Sequence, residues 1–181
     1  MMPAPPPART FDLAQVNVAI PRETRISSVF ADFIAALAPI NALAESSSGF
    51  VWRFHEAGDG ALWVRRFEED VIVFNMSTWE SLDALADFVF KSAHSAIMRE
   101  RRKWFLPMQE AYAALWWVPL GHRPGIREAE ERVAYLRQHG PTPFAFTFKQ
   151  PFPPPGVEPT AGDAQRAPSP SHHAPLSSSR S

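Results

Sequence analysis

The sequence contains no cysteine, and this excludes several kinds of chemistry at once. Without thiols there is no disulfide framework, no thiolate nucleophile and no cysteine-ligated zinc site. The absence also fits a reducing compartment, so we expect a cytoplasmic protein. The opening segment MMPAPPPART has no apolar core of signal-peptide length. No apolar run approaches the roughly 20 residues that span a bilayer, so we expect no membrane partner.

The sequence also has little net charge and little glycine. At a formal net charge of -1 the chain has no global field that would draw it to nucleic acid, so we expect no such partner. Its 8 glycines form no nucleotide-binding loop, and HExxH and GxSxG motifs are absent. Dinucleotide-dependent hydride transfer, metalloprotease chemistry and nucleophile-elbow hydrolysis are therefore unsupported.

The main basic cluster, MRERRKWF, lies where a predicted helix ends, and cations there are favoured by the helix dipole.

Proline is abundant, with 19 of 181 residues, but it is concentrated at the two ends of the chain. The first nine residues contain four prolines, and the last 31 are rich in proline, serine and alanine. Such segments cannot bury enough apolar surface to offset the entropy lost on ordering. We predict a disordered segment at 1–9, a folded domain at 10–150 and a disordered tail at 151–181 that contributes nothing to folding. The tail histidines, His172 and His173, are interpreted as part of that flexible segment.

Between these ends the hydrophobic pattern alternates strands with helices. Strands are predicted at 11–20, 49–56, 61–67, 71–79, 111–119 and 144–148, and helices at 27–37, 81–105 and 125–140. Ser81 is the expected N-cap of the second helix, and in the third helix Glu128 can pair with Arg132. The third helix should bury one stripe of side chains, formed by Ile126, Ala129, Val133 and Leu136. Pro39 should end or kink the first helix, although one or two more turns can follow it. The AGDG turn at 57–60 predicts a hairpin in which 61–67 returns against 49–56.

The order β-α-β(β)β-α-β-α predicts an α+β fold with a ferredoxin-like antiparallel sheet and helices on one face. If the helices cover the side of the first strand that carries Asn17, the other side of the sheet is left bare. That bare side would consist of apolar residues, namely Val16, Val18, Ile20, Ile72, Phe74 and Met76. An apolar face of this size is too large for a monomer, so we expect a homodimer that closes through it.

Several segments resemble known protein families. The segment STWESLDALADFVFKSAHSAIM is similar to the W-E-S-x-x-A-L-x-x-F … S-x-x-H stretch of dimeric α+β barrel proteins. This superfamily includes antibiotic-biosynthesis monooxygenases and heme-degrading monooxygenases. The segments QVNVA, NALAE…GFVWR, MSTWES, RRKWF, WWVP-GHRP and HGPTPFAFTFK together resemble an uncharacterised bacterial family, domain of unknown function 3291. That second resemblance covers nearly all of 11–149 and implies a dimeric α+β barrel without an established activity.

Three residues occupy places similar to those that heme-degrading relatives use for catalysis. These relatives use an asparagine on the first strand, a tryptophan at the end of a later strand and a histidine on the following helix. The resemblance therefore points to Asn17, Trp79 and His94. Asn17 would position an oxygen species, Trp79 would bound the cavity, and His94 would act as base or ligand. Structural alternatives stay open: a core anchor at Trp79, a structural histidine at His94, and a cross-strand hydrogen bond for Asn17.

Two functions follow as hypotheses. The first is a monooxygenase-like protein that binds a small apolar or aromatic molecule in a pocket between helices and sheet. The alternative is a non-catalytic dimeric module that binds a small ligand or serves assembly. We predict no cofactor; heme stays an alternative, although Phe88, Phe90 and Trp104 would take up space that a porphyrin needs. A cavity bordered by Asn17, Trp79 and His94 favours the first function, and a filled core at that place favours the second.

Overall fold

The computed structural model describes residues 9–22, 28–55, 63–67 and 70–158. The side chains at 28–30, 63–67, 70–71 and 94–97 lie outside this description. The elements are β1 (Phe11–Ala19), α1 (Ser28–Ser46), β2 (Phe50–Arg53), β3 (Trp63–Phe67), β4 (Asp70–Trp79), α2 (Leu82–Ala86), a π-helical turn (Asp87–Lys91), α3 (His94–Trp104), β5 (Ala113–Pro119) and α4 (Ile126–His139). Among the described residues, no helix combines the length and apolar character that crossing a bilayer requires.

The strands form one antiparallel sheet in which β4 and β1 are central. The order is β2-β4-β1-β5, and β3 also pairs with β4. β2 and β3 lie end to end along β4, since Phe50 is opposite Trp79 while Trp63 is opposite Phe74. Together they occupy the place of the second strand, which gives the order second, third, first, fourth. This is the ferredoxin-like arrangement, and the predicted α+β fold class is confirmed.

The predicted hairpin between 49–56 and 61–67 is wrong. β3 pairs with β4 rather than with β2, and both run antiparallel to β4. β4 is 10 residues long, enough to satisfy the backbone groups of two short strands along one edge. The AGDG turn on which the hairpin prediction was based lies within 56–62, outside the described residues.

The two crossover helices differ from prediction in opposite ways. α1 continues past Pro39 to Ser46, so the proline does not end it. The helix predicted at 81–105 is broken instead. Ser81 caps its start as predicted, with its hydroxyl oxygen accepting a hydrogen bond from the backbone N–H of Ala84 at 3.1 Å. α2 then passes into the π-helical turn, Ser92 has extended backbone (φ -95°, ψ 179°), and α3 begins at His94.

Helices cover both faces of the sheet. α1 and α3 lie over the side of β1 that carries Asn17, where Phe33 and Trp104 pack together with Ala19. α4 lies on the opposite side, and its buried residues are Ala129, Val133 and Leu136. They form one cluster with Val16, Val18, Ile72, Phe74 and Met76 of the predicted apolar face, each of which is at most 5% exposed within a single chain. Ile20, the sixth residue of that face, is partly buried against the same cluster.

The expectation of a bare apolar face is therefore wrong. The prediction that the helices cover one face of the sheet is correct for α1, α2 and α3, whereas α4 covers the other face. The homodimer prediction loses the reason on which it was based, and the oligomeric state itself stays a prediction. The apolar stripe of α4 was correctly predicted to be buried. The periodicity of this stripe carries no information about which side of the sheet α4 packs against.

The packed domain extends beyond the predicted limits at both ends. Trp117 Nε1 donates a hydrogen bond to the carbonyl oxygen of Phe152 at 2.8 Å, and the ring of Phe152 contacts that of Phe146. The contacts of Phe152 thus lie beyond the predicted limit of the domain, and the contribution of the tail to folding stays a prediction. At the other end, Arg9 pairs with Asp12 at 3.1 Å and with Glu80 at 2.6 Å. Residues 1–8 and 159–181 lie outside the described part of the chain.

In place of the strand predicted at 144–148, Phe146 forms an isolated bridge with Leu115. The backbone N–H of each donates to the carbonyl oxygen of the other, at 2.9 and 2.8 Å. This bridge fixes the segment after α4 to β5.

Gly49 sets the distance between the start of β2 and α2, and this yields a test of the fold. Its φ is +78°, and an added Cβ would lie 2.5 Å from Ala84 Cβ. We predict that Gly49→Ala lowers the free energy of unfolding by about 2–4 kcal/mol, through backbone strain and overpacking. Urea denaturation measures this change.

The control is Gly121→Ala, which has φ +80° but no atom within 4 Å of the added Cβ. It should cost only the backbone term of about 1–2 kcal/mol. Equal losses in the two variants would contradict the close approach of β2 and α2.

Candidate functional site

A cavity of about 260 Å³ lies between the sheet and the helices that cover the Asn17 side. β1 and β4 form its floor, and α1, the π-helical turn and α3 form its walls. Residues from β2 and from the start of β5 close its two sides. The cavity thus lies where the sequence predicted a pocket between helices and sheet.

The floor is polar because of the register between β1 and β4. Gln15 lies opposite Ser77, and Asn17 lies opposite Asn75. Side chains two residues apart on a strand point to the same side, so these four share one face of the sheet. Leu13 pairs with Trp79 in the same register, which places the indole at the end of the polar row.

Hydrogen bonds fix the orientation of this polar row. Gln15 Nε2 donates to Asn75 Oδ1 at 3.1 Å and to Ser77 Oγ at 3.0 Å. Trp79 Nε1 donates to the same Ser77 Oγ at 2.9 Å. Because Ser77 Oγ accepts two hydrogen bonds, its hydroxyl hydrogen remains as a donor. The carbonyl oxygen of Gln15 and the amide nitrogen of Asn75 remain as an acceptor and a donor, so the floor presents directional groups to a ligand.

Two further amides line the cavity from opposite sides. Asn17 belongs to β1, and Asn41 belongs to α1, where it is 8% exposed. Among the described residues, neither side chain has a hydrogen-bond partner. Both amides are therefore available to donate to or accept from a polar group of a ligand in the cavity.

The walls are aromatic and make ordered ring contacts. Phe88 of the π-helical turn stacks on Trp79 with centroids 5.1 Å apart, and Phe50 meets Trp79 edge-on at 5.4 Å. Phe33 contacts Trp104 at 5.6 Å on the other side of the cavity. Phe90 also lines the cavity although it is 60% exposed, so it marks the solvent side. The helix break therefore directs aromatic rings of the π-helical turn toward the cavity, and such turns are frequent at functional sites.

Two arginines line the cavity at different places. Arg53 of β2 forms an ion pair with Glu45 of α1. Arg101 of α3 lies over the ring of Tyr112, with its guanidinium carbon 4.2 Å from the ring centroid. The described part of the cavity lining contains no aspartate or glutamate, so its charged groups are cationic.

A second cluster of charged residues, on the α4 side, is held together by contacts among its own side chains. Glu128 accepts a hydrogen bond from Trp116 Nε1 at 2.8 Å, lies 2.8 Å from His122 Nε2, and pairs with Arg132 at 3.6 Å. Burial lowers the pKa of Arg132, and the nearby Glu128 opposes this shift. The predicted Glu128–Arg132 pair is confirmed. The carboxylate partner of His122 makes this cluster a structural network rather than an open anion site.

Two of the three predicted site residues meet at the cavity. Asn17 and Trp79 both line it, and Trp79 is also fully buried as a core residue. His94 begins α3, but its side chain lies outside the described residues, so its role stays a prediction. Sequence reasoning did not single out Asn75 and Ser77, although a signal was present: both share the parity of Trp79 on an otherwise apolar strand.

Three solved structures are similar to parts of this chain. One is a protein of unknown function from Nitrosomonas europaea, with 14% identity, 65% of this chain and 96% of that chain covered, and a TM-score of 0.40. Another is SnoaB, a cofactor-independent oxygenase from Streptomyces nogalater, with 16% identity, coverages of 64% and 96%, and a TM-score of 0.39. The third is a candidate antibiotic biosynthesis monooxygenase from Bacillus cereus, with 12% identity, coverages of 64% and 98%, and a TM-score of 0.35. Similarity at this level carries no conclusion about activity.

The family of the chain is shown by its sequence. No curated protein matches it at a significant level. A family model does match, and it covers most of the chain, including the whole described domain from Asp12 onward. The chain therefore belongs to the family Domain of unknown function (DUF3291), which it matches over residues 12–162.

Proposed function

We propose that the cavity binds a small aromatic molecule and that the protein is monooxygenase-like, with dioxygen as co-substrate and no cofactor. The observation that carries this proposal is the cavity itself, which joins aromatic walls to an ordered polar floor. Ligand sites commonly have this composition, mostly apolar with a few placed polar groups that fix orientation.

The size of the cavity limits the ligand. Its volume of about 260 Å³ lies just below the range of about 300–1,000 Å³ that is typical for small-molecule sites. Within the proposal a planar ring of the ligand lies between Trp79 and Phe33, where offset or edge-on ring contacts would stabilise it. The amides of Asn17 and Asn75 would then hold hydroxyl or keto groups of the ligand.

The proposal includes no heme. Phe88, Phe90 and Trp104 all line the cavity and occupy the space beside the polar floor that a porphyrin would require. The proposed reaction therefore contains no step through heme.

The proposed chemistry needs a substrate with an acidic CH₂ group between aromatic or carbonyl groups. A base removes one proton, and the resulting carbanion, stabilised as an enolate or phenolate, transfers electrons to O₂ and forms a hydroperoxide. Loss of water gives the ketone, so that R–CH₂–R′ + O₂ yields R–CO–R′ + H₂O. Within the proposal His94 is the base, Asn17 positions the oxygen species by a hydrogen bond, and Trp79 bounds the site.

Filling the cavity tests whether it binds an aromatic ligand. Ala36 of α1 lines the cavity, whereas Ala38 of the same helix is exposed. We predict that Ala36→Phe weakens binding of 2-naphthol at least tenfold, because the new ring takes the ligand's place, while Ala38→Phe leaves binding unchanged. Isothermal titration calorimetry gives both affinities. Equal effects of the two substitutions, or no binding by the unaltered protein, would reject the cavity as the binding site.

Turnover tests the oxygenase part of the proposal. With 1,8-dihydroxy-9-anthrone as probe, we predict uptake of one O₂ per quinone formed. His94→Ala should lower the rate by about 100-fold, the usual scale for loss of a general base. His55→Ala changes an exposed histidine and serves as control. If oxygen uptake with the protein is no faster than without it, the oxygenase proposal is rejected and the function left is that of a ligand-binding module. Equal rates in the two variants would exclude His94 as the base.

A further inference from the structure

We propose that the aromatic ligand carries a carboxylate and that Arg101 binds it. This inference rests on the proposed function, because it names the class of molecule that the cavity accepts. The carboxylate would lie at the side of the cavity formed by α3 and the start of β5, and the ring system would extend over the polar floor toward Trp79.

The position of Arg101 is set by its contact with Tyr112. The guanidinium carbon lies 4.2 Å from the centroid of the phenol ring, which is a cation–π contact. The side-chain N–H groups of Arg101 make no hydrogen bond to any described residue, so they can donate to a ligand. The carbonyl oxygen of Tyr112 accepts a hydrogen bond from the backbone N–H of Val18 at 2.7 Å, which fixes this residue beside Asn17.

The charge of Arg101 is not balanced within the described residues. Arg53, the other arginine of the cavity, pairs with Glu45, and Arg127 pairs with Glu131 on the surface. Arg101 has no carboxylate partner among the described side chains, and no described aspartate or glutamate lines the cavity. A cation at the wall of a largely apolar cavity interacts with an anion more strongly than it would in water.

The geometry favours a carboxylate over a phosphate. A guanidinium presents two parallel N–H donors that match the two oxygens of a carboxylate. Phosphate groups are commonly held by several donors at once, and the second arginine of this cavity is occupied by Glu45. The ligand class that meets the described groups is therefore a small aromatic carboxylic acid with neutral hydroxyl or keto substituents, which Asn17 and Asn75 can bind.

The experiment compares two probes of nearly the same shape, 2-naphthoate and 2-naphthamide, by calorimetric titration of the full chain at pH 7.5. We expect the unaltered protein to bind the acid at least tenfold more tightly than the amide. Arg101→Gln should remove this preference by weakening the acid at least tenfold and changing the amide less than threefold. Arg99→Gln makes the same charge change on the exposed side of α3 and should preserve the preference.

The outcomes separate this inference from the proposed function. Equal binding of both probes by the unaltered protein overturns the carboxylate inference and leaves the aromatic site intact. Binding of neither probe contradicts the proposed function itself. A preference for the acid that survives in Arg101→Gln shows that another group binds the anion, which also overturns the inference.

Arg101→Lys covers the case in which the glutamine variant does not fold. It keeps the charge but loses the two-donor geometry, so the preference for the acid should fall without vanishing. An unchanged preference in a folded lysine variant would contradict bidentate binding by Arg101.

Discussion

The pairing of β1 with β4 is the interaction on which the rest of the structure depends. It places Gln15 opposite Ser77 and Asn17 opposite Asn75, so four polar side chains meet on one face. A shift of β1 by one residue would send Gln15 and Asn17 to the side covered by α4, away from Asn75 and Ser77, and move Val16 and Val18 into the cavity. The hydrogen bonds from Gln15 Nε2 to Asn75 Oδ1 and Ser77 Oγ cross between the two strands in this register, so the polar floor both depends on the register and helps to specify it.

The cavity stays open because a cluster of packed side chains at each of its two ends holds its walls apart. Leu85 and Phe88 pack on the Trp79 end, while Trp104 and Phe105 pack on Phe33 at the other end. The break at Ser92 separates these two clusters, since α2 and α3 do not form one straight helix across the sheet. A continuous helix would carry a single stripe of apolar side chains over the floor, which is the geometry of a filled core.

Much of the fold could be predicted from the sequence because its signals are local. The alternation in 11–20, the capping serine at position 81 and the stripe of α4 each depend on neighbouring residues, and each is confirmed. The errors concern long-range choices. The pairing of β3 with β4, and the side of the sheet on which α4 packs, are decided by tertiary contacts that no short window contains.

The residues of the candidate site also fall into two groups: those that the sequence indicates and those that only the tertiary structure reveals. Family resemblance and strand parity placed Asn17 and Trp79 on the side of the sheet where the cavity lies. Arg101 could not be distinguished within the basic run MRERRKWF, because all its cations suit the end of a helix. Only the packing of α3 on the sheet shows that Arg101 lines the cavity, whereas Arg99, Arg102 and Lys103 are exposed.

The most direct test of the account is the response of the tryptophan indole N–H signals to 2-naphthoate in a ¹H–¹⁵N spectrum. Trp79 and Trp104 line the cavity, while Trp116 lies on the other face of the sheet with its indole N–H bonded to Glu128. We predict that titration shifts the signals of Trp79 and Trp104 in a saturable manner and leaves that of Trp116 in place. Shifts centred on Trp116, or no shift at saturating ligand, would contradict the claim that this cavity binds a small aromatic molecule.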